Sequence, residues 1–597
     1  MTQIPLDQAI QIAIRHQQAG RLAEAQWICR QILAQLPDHV EGLQLSGALA
    51  AQAGRFDAAV ELLRRVVRLK PDLAEAHLNL GVALKASGRL DEAIASYRQA
   101  IRLNPGLAAA HSNLGNALKD MEQHDEAIAS YRQAIRLDPG SVEAHYNLGN
   151  AFNKIGLLGE AIASYRRAIQ LRPDNTASHS NLVLTLHYHP DCDAKSIYDE
   201  ARRWNQLHAE PLKKFIQPHL NSRDPDRRLR IGYMSPDLCD RVIGNSLLPL
   251  LRQHDHRQVE VFCYAHVVQP DVRTEQLRGS TDVWRDIVGV SDSQAVDLIR
   301  QDRIDILVDL ALHTRDNRLA IFAYKPAPVQ VTYLGYCGTT GLDAINYRLS
   351  DPYLDPPDSD LSCYSEQTIW LPKTYWCYGV FRPTPDPSPP PAAQAGYITF
   401  GCLNNSAKVS PAALDLWAQI LQGNPRSRLL VHLHPGAYLD AVRERFARKG
   451  IASDRLEFLR RRPWPEYVRT YGRIDIALDP LPWGGGITTC DALWMGVPVV
   501  TLAGRTAVGR GGVSILTNIG LPELIAQDPQ QYLQIATELA GDISRLSELR
   551  RTLRGRLERS PLMDAPRFAR NIEAAYRQMW RNWCQGRETS GLQYPAT

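Results

Sequence analysis

At 597 residues and 44% hydrophobic composition, the chain is too long for a single core and too apolar for a disordered tail, so several globular domains are expected. Lys+Arg 68 against Asp+Glu 64 leaves a net charge of +4, too small over this length for non-specific nucleic-acid binding. The ten cysteines are scattered, with no CxxC pair and no close Cys/His cluster, which reads as buried thiols in a reducing compartment and no metal site.

The N-terminus lacks a basic segment followed by an apolar core, and no run of about 18 or more apolar residues occurs, so a cytoplasmic location without a membrane span is expected. Over the first third, Pro37, Pro71, Pro105, Pro139 and Pro173 stand 34 residues apart, as do Ala25, Ala59, Ala93, Ala127 and Ala161. That period belongs to tetratricopeptide repeats, each a pair of packed helices. Small residues such as Gly81 and Ala93 let the paired helices approach, while Leu and Tyr at recurring positions (Tyr97, Tyr131, Tyr165) fill the space beside them. Five units are expected, at 6–39, 40–73, 74–107, 108–141 and 142–175. A lone capping helix near 176–188 comes next, in which Val183 stands where glycine recurs, and the array as a whole spans 1–188.

Stacked pairs of this kind form a superhelix whose concave face suits an extended protein or peptide partner. Asn79, Asn113, Asn147 and Asn181 also recur every 34 residues. Their amides either bond a peptide backbone without reading its side chains or tie neighbouring repeats together. Gln11 and Leu45 hold the equivalent positions nearer the N-terminus, so any groove would concentrate in repeats three to five.

A polar, proline-punctuated connector is expected at 189–225. Beyond it, apolar runs at 229–234, 259–264, 304–312 and 329–334 alternate with helical stretches such as 293–301, the pattern of a parallel sheet covered by helices. The stretch RPTPDPSPPP at 382–391 cannot supply ladder donors and reads as a semi-rigid linker, 381–396. It separates a first lobe, 226–380, from a second, 397–585. In the second lobe, strands at 397–403, 428–433, 456–459, 474–478 and 497–502 alternate with helices, before a disordered tail at 586–597. The fold class is thus an α-helical repeat superhelix followed by an α/β GT-B fold, two Rossmann-like lobes facing a cleft. Sugar transferases, some epimerases and phosphorylases share that arrangement.

Two stretches carry candidate chemistry. In DPLPWGGGITTCDALW at 479–494 a strand ends, glycines including Gly485 and Gly486 permit close backbone approach, and a helix starts at Thr488 and Thr489. Free amides and the positive end of a helix dipole would cradle a diphosphate there, although glycines before a helix also serve as a plain turn. Asp491 is either a favourable first-turn acid or an acceptor for a ribose hydroxyl. In FGCLNNSAKVSP at 400–411, Ser410 and Pro411 read as the start of a helix, which leaves Lys408 on the loop at the carboxyl end of the sheet. An ammonium there neutralises charge growing on a departing nucleoside diphosphate.

These two stretches, with IGYMSPD at 231–237 and KPAPVQ at 325–330 running into LGYCGTTG at 334–341, are similar to signatures of the bacterial O-GlcNAc transferase/SPINDLY family, and the resemblance covers nearly the whole chain. It implies inverting transfer of a sugar from a nucleotide diphosphate donor to Ser or Thr hydroxyls of proteins, with no required metal or other cofactor. The donor itself is the co-substrate: UDP-GlcNAc is favoured over other UDP-hexoses or GDP-fucose. The resemblance also implies roles. Lys408, within the loop of Asn404 and Asn405, contacts the donor phosphates; Thr488, Thr489 and their amides hold the diphosphate; Asp491 holds the ribose; and Tyr467, where the family has a histidine, stacks on the base. By the same resemblance the asparagine ladder binds the acceptor peptide.

Besides Tyr467, the chain departs from the family pattern at three places. Arg241 stands just after Ser-Pro-Asp where the family has a histidine, and arginine is no base at neutral pH, which leaves Asp237 or the donor phosphate to take the proton. Leu312 replaces a usual glycine before His313, itself read as structural, and Cys337 replaces a proline. Two other readings remain: a repeat scaffold with a degenerate, non-catalytic nucleotide-sugar module, or an epimerase or small-glycan transferase, for which the long array is superfluous.

Overall fold

The computed structural model describes residues 5–587, so the tail from 588 onward, expected to be disordered, lies outside the described residues. The chain forms two compact units, Met1–Phe152 with Ala163–Arg172, and Asn153–Ile162 with Pro173–Thr597.

The first unit is a stack of helix hairpins. Helices Leu6–Gln18 and Leu22–Gln35, Val40–Gln52 and Phe56–Leu69, Ala74–Ala86 and Leu90–Leu103, and Ala108–Asp120 and His124–Leu137 succeed one another. The next pair, Val142–Ile155 and Leu158–Leu171, is shared between the units. Steric necessity sets the recurring glycine. A Cβ on Gly81 would stand 2.5 Å from the Tyr97 ring, and one on Gly115 or Gly149 would stand 2.6 Å from Tyr131 or Tyr165. All three tyrosines are buried. Successive repeats are also tied by ion pairs, Arg64 to Glu92 at 2.7 Å and Arg98 to Glu126 at 3.0 Å.

The second unit begins earlier than the repeat period suggests. Helix Thr176–Leu186, expected as the last piece of the array, belongs here. Val183 is fully buried, His179 bonds Glu200 at 2.8 Å, and Ser180 meets His313 at 3.3 Å. The stretch expected as an irregular connector is largely helical: Ala194–Trp204 runs on through a π-helical turn, Asn205–Ala209, and a 3-10 turn, Glu210–Phe215. Its polarity reflects one solvated face, because Trp204 is sealed inside the first lobe's core.

The first lobe is a seven-stranded parallel sheet. Its strands are β1 Leu229–Ser235, β2 Val259–Ala265, β3 Val283–Asp286, β4 Ile306–Asp309, β5 Val329–Thr332, β6 Tyr347–Ser350 and β7 Gln367–Trp370, in the order β3-β2-β1-β4-β5-β6-β7. The second lobe holds β8 Thr399–Cys402, β9 Arg428–His432, β10 Leu456–Leu459, β11 Ile476–Leu478, β12 Val499–Leu502 and β13 Ile525–Ala526, in the order β10-β9-β8-β11-β12-β13. In each sheet the progression reverses beside the first strand, between β1 and β4 and between β8 and β11. At such switch points open α/β sheets bind ligands outside their carboxyl ends.

Side chains of the second lobe pin the proline-rich linker. Arg550 donates to the Ser388 carbonyl at 2.7 Å, Arg554 to that of Pro385 at 2.6 Å, and Trp494 to Thr384 at 2.9 Å. The last helix, Ala565–Cys584, corrects the expectation that 397–585 is one lobe. Phe568, Ile572, Tyr576, Met579 and Trp580 recur on one face and are buried in the first lobe's core. Tyr576 reaches Tyr233 of β1 at 3.3 Å, and His254 pairs with Glu573 at 2.8 Å. Among the described residues no helix is long and apolar enough to cross a membrane.

Candidate active site

At the end of β8 the chain turns through Asn404 and Asn405 into a 3-10 turn, Ser406–Lys408, and then enters helix Pro411–Gly423. Ser410 caps that helix by accepting from the Ala413 amide at 3.2 Å, and Pro411 supplies its first turn. At the end of β11, Asp479 fixes the next loop: its Oδ1 accepts from the Gly485 amide and its Oδ2 from Thr501, each at 2.7 Å. The loop has no room for side chains. A Cβ on Gly485 would lie 2.3 Å from Thr489 Oγ1, and one on Gly486 would lie 2.7 Å from the Trp376 ring of the first lobe. Helix Ile487–Trp494 begins next, without a side-chain cap.

The fold brings these two stretches, some eighty residues apart in sequence, into contact. Lys408 Nζ donates to the Gly484 carbonyl at 2.8 Å, and Thr488 Oγ1 donates to Asn404 Oδ1 at 2.7 Å. Burial pushes the Lys408 pKa down to about 8, against the pull of Asp479. The buried Thr489 hydroxyl has no hydrogen-bond partner among the described residues. Amides at a helix start, an orphaned hydroxyl and an ammonium make a site whose chemistry suits an anion. Asn405 does not join them: it is exposed, and its side chain caps the 3-10 turn through the Ala407 amide at 3.3 Å.

Beside this loop an inter-lobe pocket is lined by Asn245 and Arg273 of the first lobe, by Arg382 of the linker, and by Trp464, Ile487 and Asp491 of the second. Burial raises the Asp491 carboxyl to about 6, and both its oxygens accept tyrosine hydroxyls, Tyr378 at 2.8 Å and Tyr467 at 3.0 Å. Tyr467, expected to face a base, spends its hydroxyl on Asp491, and the aromatic residues lining the pocket are Tyr378, Phe381 and Trp464. The sequence carried no signal for Trp464 beyond a tryptophan three residues before a tyrosine. At the end of β1, Asp237 Oδ1 accepts from Arg241 at 2.5 Å. His313 is fully buried and held by the Thr340 carbonyl at 2.8 Å, with Leu312 before it at φ +48°.

Along the array, the asparagines that tie paired helices are Asn116 and Asn150, which accept from Tyr131 at 2.7 Å and Tyr165 at 2.8 Å. Asn113 and Asn147 stand three residues before these, Asn79 precedes Val82 in the same way, and no side-chain hydrogen bond of Asn79, Asn113 or Asn147 occurs among the described residues. Asn79 is exposed, Asn113 half-buried and Asn147 buried. Asn181 belongs to the second unit.

The description Glycosyl transferase family 41 fits residues 201–380 and 393–572, more than half of the chain. The chain belongs to this family. Tetratricopeptide repeat families match 10–74, 45–108 and 142–175. A relative in Petunia hybrida, described as a probable UDP-N-acetylglucosamine–peptide N-acetylglucosaminyltransferase SPINDLY, is 37% identical over 421 residues, 68% of this chain and 44% of that protein. The relative SEC of Arabidopsis thaliana is 30% identical over 61% of this chain and 38% of its own length. The chain therefore spans less than half the length of these curated relatives. Among solved structures, a variant of Thermobaculum terrenum O-GlcNAc transferase is 36% identical, with a TM-score of 0.80 over 86% of this chain and 98% of that one. The family 41 match covers the two parallel sheets, the repeat matches precede it, and the Lys408 loop and the glycine loop lie in the half of the match that runs from 393 to 572.

Proposed function

We propose that this protein transfers a sugar, with UDP-GlcNAc as the favoured donor, onto Ser or Thr hydroxyls of protein acceptors, with inversion and without a metal. The convergence of Lys408 and the Gly484–Gly486 loop on one point carries the reading. The acceptor oxygen forms a bond to the anomeric carbon as the bond from that carbon to the diphosphate breaks. Charge growing on the leaving nucleoside diphosphate meets the Lys408 ammonium and the bare amides at the start of helix Ile487–Trp494. The hydroxyl proton passes to a donor phosphate oxygen or to Asp237, whose Oδ1 is engaged by Arg241. Asp491 holds the ribose, and Asn79, Asn113 and Asn147, with Asn181 of the cap helix, bind the acceptor backbone. Intact donor-loop geometry is what disfavours the reading of a degenerate scaffold.

The test is a thermal-shift and transfer panel of UDP-, GDP- and dTDP-sugars with the purified full chain, alongside Lys408→Ala. One donor is expected to raise the melting temperature by mass action. Lys408→Ala is expected to cut transfer by about 10²-fold or more with the fold unchanged. Finding no modification by any donor, together with nucleotide binding by Lys408→Ala equal to wild type, would discard the proposal.

A further inference from the structure

The two loops of the donor site are held against something outside both lobes' sheets. Trp483, immediately before Gly484, stacks on Tyr188 of the cap segment, with ring centroids 4.6 Å apart and planes 20° apart. His187 meets the same indole edge-on at 5.7 Å, and Tyr336, from the first lobe's loop, lies 5.4 Å away. His187 also packs on Tyr336 at 5.0 Å. Trp483 is therefore boxed by rings from the cap and from the first lobe.

The free face of this box is turned to the chemistry. Lys408 Nζ sits 5.1 Å from the centre of the Trp483 ring while donating to the neighbouring Gly484 carbonyl. Tyr188 additionally packs with Leu158 and with Ala407, the residue before Lys408. The turn at Gly156 lies against the Ser406 carbonyl, 3.4 Å from where its Cβ would stand. One tyrosine thus touches both loops, the one that carries the ammonium and the one that carries the bare amides. His187 enters as a neutral ring, because burial pushes its pKa down to about 4 and neither ring nitrogen has a hydrogen-bond partner among the described residues.

We infer that Tyr188 is a positioning residue for the donor site: by stacking on Trp483 and packing on Ala407, it sets the distance between the Lys408 ammonium and the Gly484–Gly486 loop and keeps water from that ammonium. This rests on the reading of those loops as the diphosphate site. Small misplacements of groups that grip a reacting ligand are costly, and a stacked aromatic pair is a rigid spacer at low entropic cost. The charged and titratable groups facing Lys408 are Asp479, which favours its protonation, and the thiols of Cys402 and Cys337. Opening the stack admits water to the same ammonium and relieves the burial that depresses it.

The experiment measures binding of UDP and of GDP to the full chain by calorimetry between pH 6 and 10, for wild type, Tyr188→Ala, Tyr188→Leu, Tyr188→Phe and Lys408→Ala. The leucine variant keeps bulk against Leu158 and Ala407 while removing the stack, and so serves if the alanine variant does not fold. Expected is a loss of about tenfold or more in affinity for the alanine or leucine variant, with an alkaline fall-off moved above the wild-type value near 8. The phenylalanine variant is expected to restore both. A merely structural role would lower the melting temperature and leave the fall-off in place, and that result overturns the inference. So does nucleotide binding by the alanine or leucine variant equal to wild type while Lys408→Ala has lost it. If wild type binds neither nucleotide, or Lys408→Ala binds as well as wild type, the donor-site reading itself falls and takes this inference with it.

Discussion

Asp491 and Lys408 carry opposite charges, one on helix Ile487–Trp494 and the other on the loop after β8, and burial moves both toward neutrality, the carboxyl up to about 6 and the ammonium down to about 8. If the carboxylate accepts from a ribose and the ammonium meets a diphosphate, nucleotide affinity is fully present only between those values. It falls as pH drops through the raised carboxyl pKa and falls again as pH climbs through the lowered ammonium pKa. Tyr378 donates to Asp491 and favours its ionised form. Tyr378→Phe is therefore expected to raise the carboxyl pKa and move the acid limb of nucleotide binding to higher pH, leaving the alkaline limb alone. Calorimetric titration across pH 4.5 to 9.5 measures it, and an unmoved acid limb would remove Asp491 from the binding model. Leu312 shows the same scale from the other side. It adopts φ +48° where its relatives are expected to have glycine, and a non-glycine residue holds such a conformation at a cost of roughly 1–2 kcal/mol, offset by a fully buried side chain.

Among the repeat helices, packing rather than helix propensity fixes the sequence. The ring of Tyr131 lies where any side chain on Gly115 would have to go, 2.6 Å from the built Cβ, and the tyrosine cannot swing away because it is fully buried and bonded to Asn116. Gly115→Val is expected to destabilise the array by about 1–3 kcal/mol through overpacking, read as a lower denaturation midpoint for the helical signal. The same substitution at Gly159, where a Cβ meets nothing within 4 Å, is the control and is expected to cost far less.

Across the whole molecule, the first lobe is completed by helix Ala565–Cys584, which follows the second lobe in sequence, so the first lobe closes only once the second has been traversed. Phe568, Ile572, Tyr576, Met579 and Trp580 are each at most 2% exposed, and burying such side chains contributes about 1.5–3 kcal/mol apiece. Their loss together rivals the roughly 5–15 kcal/mol by which a domain is stable. Truncation after residue 564 is expected to abolish folding of the first lobe and yield insoluble protein. Cooperative melting and retained solubility of the truncated chain would contradict this. The site itself also spans both lobes, since Trp376 of the first lobe lies against Gly486 of the second.

By itself the sequence determined the features that repeat and those that depend on local backbone chemistry. The 34-residue period, the glycine–tyrosine pairs, the longer strands such as Leu229–Ser235 and the switch from repeats to two parallel sheets were all legible, because periodicity and apolar runs encode which face is buried. The glycine loop and Lys408 were recognisable as chemistry, but not their contact, since nothing in the order of residues says that Lys408 reaches the Gly484 carbonyl. Tertiary structure alone decided the rest. The four-residue strands Val283–Asp286, Tyr347–Ser350 and Gln367–Trp370 are too short to show alternation. The amphipathic last helix could have covered either sheet. The Tyr467 hydroxyl met Asp491, and Trp464 joined Tyr378 and Phe381 in the pocket wall. In each case an apolar or polar side chain advertises that it needs a partner, while only the path of the chain through space determines which partner it meets.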